Sequence, residues 1–194
     1  MDQTYNEYKM WLENKTVESG IEAAYQNAAA MLKQRNTFEN QLMDLNEQES
    51  DFSDDQKNPE KRLSIFSSYL DLEFKDNSNP ARIQNLYERR ITDLCLYPHV
   101  WTTYMDYIDF TLKMESNSLI LYERAVRNIP NSAAIWIKYL RALERYNKPK
   151  EIVLSVLEKA LSRNLMEGIS KYRELWLTFI DYKRRDLFKV RFYL

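Results

Sequence analysis

Apolar residues along this chain recur every three or four positions and never alternate for long, so the pattern predicts helices and no sheet. Trp101, Tyr104, Met105, Ile108 and Leu112 fall at i, i+3, i+4, i+7 and i+11, one face of a helix. Trp136, Tyr139, Leu140 and Leu143 copy the first four of those spacings 35 residues later. Between and around them lie further one-faced segments: Ile83, Leu86, Tyr87, Ile91 and Leu94, then Leu119, Tyr122, Val126 and Ile129, then Val153, Leu154, Leu157 and Leu161.

These stripes are phase-locked. Phe66-Ser-Ser-Tyr69, Trp101-Thr-Thr-Tyr104, Trp136-Ile-Lys-Tyr139 and Trp176-Leu-Thr-Phe179 start 35, 35 and 40 residues apart. Tyr87-Glu-Arg-Arg90, Tyr122-Glu-Arg-Ala125 and Leu157-Glu-Lys-Ala160 recur every 35 residues, each 21 after the aromatic that opens its repeat. Tyr5-Asn-Glu-Tyr8 and Tyr25-Gln-Asn-Ala28 extend the pattern toward the N-terminus. Two series in step at this period predict stacked helix pairs, each covering an apolar face that one pair alone leaves exposed. Punctuation fits: Asn79 caps a helix that starts at Pro80, Pro98 and Pro130 stop second helices, Asn131 and Ser132 cap the next first helix, and Pro149 opens another.

Residues 46–60 (NEQESDFSDDQKNPE) carry six acids, and Phe52 is their one sizeable apolar side chain. Such a stretch does not repay its ordering entropy and is expected to be a mobile acidic loop. A helix carrying Phe38, Leu42 and Leu45 is expected to run up to it.

Helix pairs of this length invite a tetratricopeptide reading, but that pattern wants W-x2-L-G-x2-Y, and here Tyr stands three after Trp. W-x-x-Y in the first helix, Y-E-R-A in the second and a following proline resemble the HAT (half-a-TPR) repeat of RNA-processing proteins. Asn79 to Arg89, Leu94 to Trp101, Tyr139 to Arg145 and Phe179 to Arg185 look, in order and spacing, like the branch of that family that recycles U4/U6 small nuclear ribonucleoproteins. The expected fold is therefore all-α, an α-α superhelix of antiparallel helix pairs. Its expected organisation is an N-terminal repeat over 1–45, the loop over 46–60, repeats over 61–98, 99–130 and 131–168, and the first helix of an incomplete repeat over 169–194. The resemblance implies a nuclear, non-enzymatic scaffold whose partners are spliceosomal ribonucleoprotein proteins and ubiquitin-specific proteases, with a dimerisation surface further along the array. It also implies RNA-recognition motifs elsewhere, because no RNP-type stretch occurs here and contact with RNA is expected to be indirect. A HAT subunit of pre-mRNA 3′-end cleavage or of the splicing core, and a TPR-like co-chaperone, are the alternatives. The chain is expected to be a window on a longer array, since Trp176, Phe179 and Ile180 sit on a helix whose partner is expected beyond Leu194.

Composition narrows the chemistry. Two glycines in 194 residues, Gly20 and Gly168, exclude phosphate-cradling glycine loops. One cysteine, Cys95, and one histidine, His99, cannot furnish a zinc site or a disulfide framework. No stretch approaches the roughly 20 apolar residues of a membrane span. No catalytic, cofactor or metal residue is nominated: His99 reads as a turn histidine and Cys95 as a small buried side chain at a helix end. The Trp residues at 101, 136 and 176 are expected to be buried between paired helices rather than to stack nucleic-acid bases. Glu88-Arg89, Glu123-Arg124 and Glu158-Lys159 read as structural charges with partners on other turns or repeats. Net charge is −1, yet residues 1–60 hold 13 acids and 5 bases, leaving 16 acids and 23 bases for the remainder. The basic end, Lys183, Arg184, Arg185, Lys189 and Arg191, reads as a solvated helix terminus.

Overall fold

A computed structural model describes residues 3, 4, 6, 7, 10, 20–49, 58–76, 79–163, 165 and 168–192, and among them every regular element is helical. The chain divides into two compact units, Met1–Ile83 and Gln84–Leu194.

The first unit holds α1 (Gly20–Glu49) and α2 (Pro59–Lys75), which pack together. Leu42 and Leu45 of α1 are 4% and 3% exposed, and Phe66, Tyr69 and Leu70 of α2 are buried opposite. Residues 46–49, expected in the loop, instead complete α1, while Pro59 and Glu60 already belong to α2. The reason is local. Leu45 anchors the last turns of α1, and Arg62 donates from Nη1 to the Asn46 side chain at 2.8 Å. Asn58 accepts from the Lys61 backbone N–H at 3.1 Å and caps α2 ahead of Pro59. The acidic run between these anchors lies outside the described residues.

The second unit runs from Gln84 in α3 (Pro80–Asp93) through α4 (Pro98–Asp106), α5 (Glu115–Asn128), α6 (Ala133–Arg145) and α7 (Lys150–Leu161) to α8 (Ile169–Phe192). The α4 helix continues without a break into a π-helical turn, Tyr107–Leu112. Short connections return the chain, so α4 with α5 and α6 with α7 form antiparallel pairs. The first helices also stack on one another, α4 on α6 and α6 on α8. Pro98 does not stop a helix. The α3 helix ends at Asp93, and Pro98 opens α4 at a position whose N–H has no helical acceptor to lose. Asn79 does cap α3, accepting from the Ala81 N–H at 2.9 Å, but Ser132 sits at the N-cap of α6 with no side-chain cap bond.

Chain reversals at the first-helix ends use non-glycine residues. Lys113 after the π turn has φ 55° and Asn147 after α6 has φ 48°. At the second, the Lys148 N–H donates to the Leu143 carbonyl at 2.9 Å, which satisfies a helix-end acceptor that a glycine would otherwise help to reach. So few glycines suffice because almost all of the described backbone is helix.

Candidate functional site

Three kinds of contact tie one helix pair to the next, and each involves a residue of the sequence series. The first is an indole bond. Trp101 and Trp136, the fourth residues of α4 and α6, each donate Nε1–H over 2.8 Å to the carbonyl six residues earlier, Cys95 and Pro130. These carbonyls close the preceding second helix and its connection. Trp101 and Trp136 are accordingly 1% and 3% exposed. Trp176 is not: it is 46% exposed. It stands on the eighth residue of α8, so the carbonyl six positions back belongs to Ser170 in the same helix. The face of α8 that packs inward carries Leu175 at 0% and Thr178 at 7%, with Tyr172, Phe179 and Tyr182 half-buried beside them.

The second contact is a ring stack. Tyr87 of α3 lies on Tyr104 of α4 (centroids 4.8 Å apart, planes 11°), and Tyr122 of α5 lies on Tyr139 of α6 (5.4 Å, 6°). In each case the Y-E-R tyrosine meets the W-x-x-Y tyrosine of the next repeat, 17 residues on. The first unit contains the same stack between Phe38 of α1 and Tyr69 of α2 (5.2 Å, 14°). Phe38-Glu39 is therefore the earlier member of the Y-E series, a role the sequence reading gave to Tyr25-Gln-Asn-Ala28. Aromatic pairs of this kind contribute about 0.5–1.5 kcal/mol beyond their burial. Burial, then the Glu123 carboxylate, pushes the Tyr139 phenol up to about 12, and burial first of all raises Tyr104 and Tyr122 as well.

The third contact is charged. Arg124 of α5 donates both guanidinium nitrogens to Glu88 of α3, at 2.9 and 2.8 Å, and lies over the Trp101 ring at 5.8 Å. Thus Glu88 of one recurring pair finds Arg124 of the next, one repeat away. Lys138 of α6 pairs with Asp106 of α4, and Arg185 of α8 is bidentate to Glu144 of α6 at 2.6 and 2.7 Å. In the first unit Arg35 is bidentate to Glu73, whose side chain is 0% exposed, and also reaches Asp76.

These joints meet most densely at Asp109, in the π turn, whose side chain is 0% exposed. It accepts from the hydroxyls of Ser118, of Tyr122 at 2.9 Å and of Tyr146 at 2.8 Å, and pairs with Arg145 Nη1 at 2.7 Å. Donors from α5 and from the end of α6 converge on one carboxylate of the first helix before them. Burial alone would raise Asp109, but the bonds from Ser118, Arg145, Tyr146 and Tyr122 outweigh it and hold the carboxyl below its ordinary value. Asp109 lies within the π turn, four residues after Met105, which is 0% exposed, so the two share the buried face of the helix. An acid inside an apolar stripe, followed by a serine and a tyrosine nine and thirteen residues on, is the sequence signal for this node.

Other nominated residues stay apart from it. His99 is exposed in the first turn of α4, where its carbonyl accepts from Thr102 and Thr103. Cys95 is half-buried just past α3, while its neighbour Leu94 fills the buried position expected for it. Arg184 pairs with Asp181 at 3.2 Å. The side chains of Lys189 and Arg191 lie outside the described residues. Among the described residues no group of His, Cys, Asp and Glu could hold a metal ion, and no helix is long and apolar enough to cross a membrane.

Residues 1–161 match the family described as suppressor of forked protein. The chain belongs to this family. It is also 33% identical over 185 residues to spliceosome associated factor 3, U4/U6 recycling protein, of Mus musculus, and 34% identical over 185 residues to the protein of that name in Danio rerio. Each comparison covers 95% of this chain and 18% of the relative. The Caenorhabditis elegans protein of the same name is 29% identical over 148 residues, 76% of this chain. The chain thus spans under a fifth of the length of the curated relatives it matches. The helical repeats of the suppressor-of-forked family account for the all-α fold and for the series of stacked joints.

Proposed function

We propose that this chain is a non-enzymatic, protein-holding scaffold of the splicing machinery, acting in the nucleus in the assembly or recycling of U4/U6 particles. Its 61–98, 99–130 and 131–168 segments each count as one HAT repeat, with 1–45 before them and 169–194 opening another. The observation that carries the reading is how the polar side chains are used. Glu88, Arg124, Asp106, Lys138, Asp109 and Glu144 are engaged in holding repeat to repeat, so the charged groups serve geometry rather than turnover. Similarity over 95% of the chain to proteins named for U4/U6 recycling supports the pathway. Partners by this reading are spliceosomal ribonucleoprotein proteins and ubiquitin-specific proteases, self-association uses repeats further along the array, and RNA is held indirectly.

Affinity purification of the tagged chain from nuclear extract tests it. Enrichment of U4/U6 ribonucleoprotein proteins is the expected outcome; enrichment of 3′-end cleavage subunits or chaperones in their place overturns it. Titration of labelled U6 RNA at two salt concentrations adds a second check, because a direct binder would lose affinity steeply with salt.

A further inference from the structure

Asp109 is buried within the π turn, and its neighbour stands outside. Phe110 is 60% exposed, and Met114, just past the left-handed Lys113, is 41% exposed. The guanidinium of Arg145 lies over the Phe110 ring, 4.7 Å from its centroid, and over the Tyr146 ring at 5.6 Å. Its Nη1 is bound to buried Asp109, yet the side chain remains 34% exposed. A guanidinium carries five donors in one plane, and here one of its nitrogens is bound by a carboxylate while two rings lie close by.

We propose that Phe110, Met114 and Arg145 form a docking surface for a short peptide segment in which an acidic side chain neighbours a large apolar one. The carboxylate takes the open edge of Arg145, and the apolar side chain covers Phe110 and Met114. Three observations carry this. Arginine, aromatics and methionine are the residue types that dominate interface energetics. Phe110 and Met114 flank the same reversal at Lys113, Arg145 lies over the Phe110 ring, and Asp109 holds the guanidinium before any partner arrives, so little side-chain entropy is lost on binding. The charge is also small and of one sign. Asp109 offsets Arg145, Glu115 offsets Lys148 at 2.6 Å, and exposed Lys113 remains. A single positive surplus suits one or two carboxylates, whereas a nucleic-acid backbone is held by several cations in a row. The inference rests on reading the chain as a protein scaffold and names the chemistry of one partner surface.

The test is selection of a random dodecapeptide library, displayed on phage, against the full chain. Enriched peptides are expected to place Asp or Glu within two positions of Leu, Phe or Trp. A synthetic peptide of the winning sequence is expected to lose at least about tenfold in affinity for the F110S and M114S chains, and about as much when its acid is changed to the amide. Phe110 and Met114 are exposed, so both variants are expected to melt as the parent does, which a circular dichroism scan verifies. Arg145 is left unchanged because it also holds Asp109. No enrichment, enrichment without acids, or binding indifferent to F110S overturns the proposal, as does F110S-sensitive binding of a labelled twenty-nucleotide oligouridylate in place of peptide. If the F110S chain still brings U4/U6 proteins out of nuclear extract while no peptide is selected, this surface is wrong and the scaffold reading stands. If the parent chain brings none, the scaffold reading itself fails.

Discussion

Replacing Asp109 by alanine removes the acceptor shared by Ser118, Tyr122, Tyr146 and Arg145. Two of those donors are then stranded where water does not reach, since Ser118 and Tyr122 are 0% and 1% exposed. Each orphaned buried donor costs about 1–3 kcal/mol. Tyr146 and Arg145 are partly exposed and rehydrate, so the expected loss is about 3–5 kcal/mol, the range for breaking a buried charge pair. For the 111-residue unit Gln84–Leu194, at about 4 °C per kcal/mol, that lowers Tm by about 12 °C or more. Asp109→Asn keeps the shape but turns an NH2 group toward donors, so it is expected to fall near the alanine variant instead of near the parent. Far-UV circular dichroism melts of the three chains read the difference. A D109A chain that melts within about 2 °C of the parent would show that the node is ornamental and that the π turn is held by something else.

Acid titration tests the same carboxylate from the other side. Its folded-state pKa is depressed, so the stability it contributes is present above the ordinary carboxylate value of about 4 and is lost as pH falls through the lower folded value; the D109N chain is expected to show a shallower loss of Tm between pH 5 and pH 2, and an identical slope would count against the assignment. Trp136→Ala is expected to cost about 3–5 kcal/mol and Trp176→Ala under about 1 kcal/mol, since one indole is 3% and the other 46% exposed; equal losses in urea unfolding would contradict the placement of Trp176. A double-mutant cycle on Glu88 and Arg124, both side chains 40% exposed, is expected to give a coupling of about 0.5–1 kcal/mol that shrinks in 1 M salt, and a coupling insensitive to salt would be the wrong result.

The repeat period, the first and second helices and the pairing of Glu88 with Arg124 across repeats were legible in the sequence because each is a local pattern repeated in register. Phe38-Glu39 was legible in principle, but the acidic insertion stretches its distance to Tyr69 to 31 residues where later stacks have 17, and a fixed-period search passes over it. Trp176 carries the right spacing to Phe179 and still comes out exposed. Motif spacing reports which residues share a face, whereas burial depends on what is packed against that face, and the five-residue longer interval before Trp176 sets it a turn further into its helix than Trp101 and Trp136. The loop boundaries failed for a different reason. Composition averages over fifteen residues, but Leu45, Asn46 and Asn58 each make one contact that fixes a helix end.

The π turn was invisible because two changes in spacing offset each other. From Trp101 to the left-handed Lys113 is twelve residues, and from Trp136 to the left-handed Asn147 is eleven. The α4 segment therefore carries one extra residue, which is the insertion that a π turn represents. From Lys113 to Tyr122 is nine residues and from Asn147 to Leu157 is ten, so the connection is one shorter and the 21-residue interval between the two series is preserved. The two changes cancel in every spacing that the period measures. They do not cancel in three dimensions: consecutive side chains on a helix point about 100° apart, and within this turn Asp109 is buried while Phe110 is 60% exposed. With the insertion, the acid meets Ser118, Tyr122, Tyr146 and Arg145, and the aromatic stands out beside Met114. The repeat that departs from α geometry is thus the one in which a buried joint and an exposed apolar side chain stand on consecutive residues.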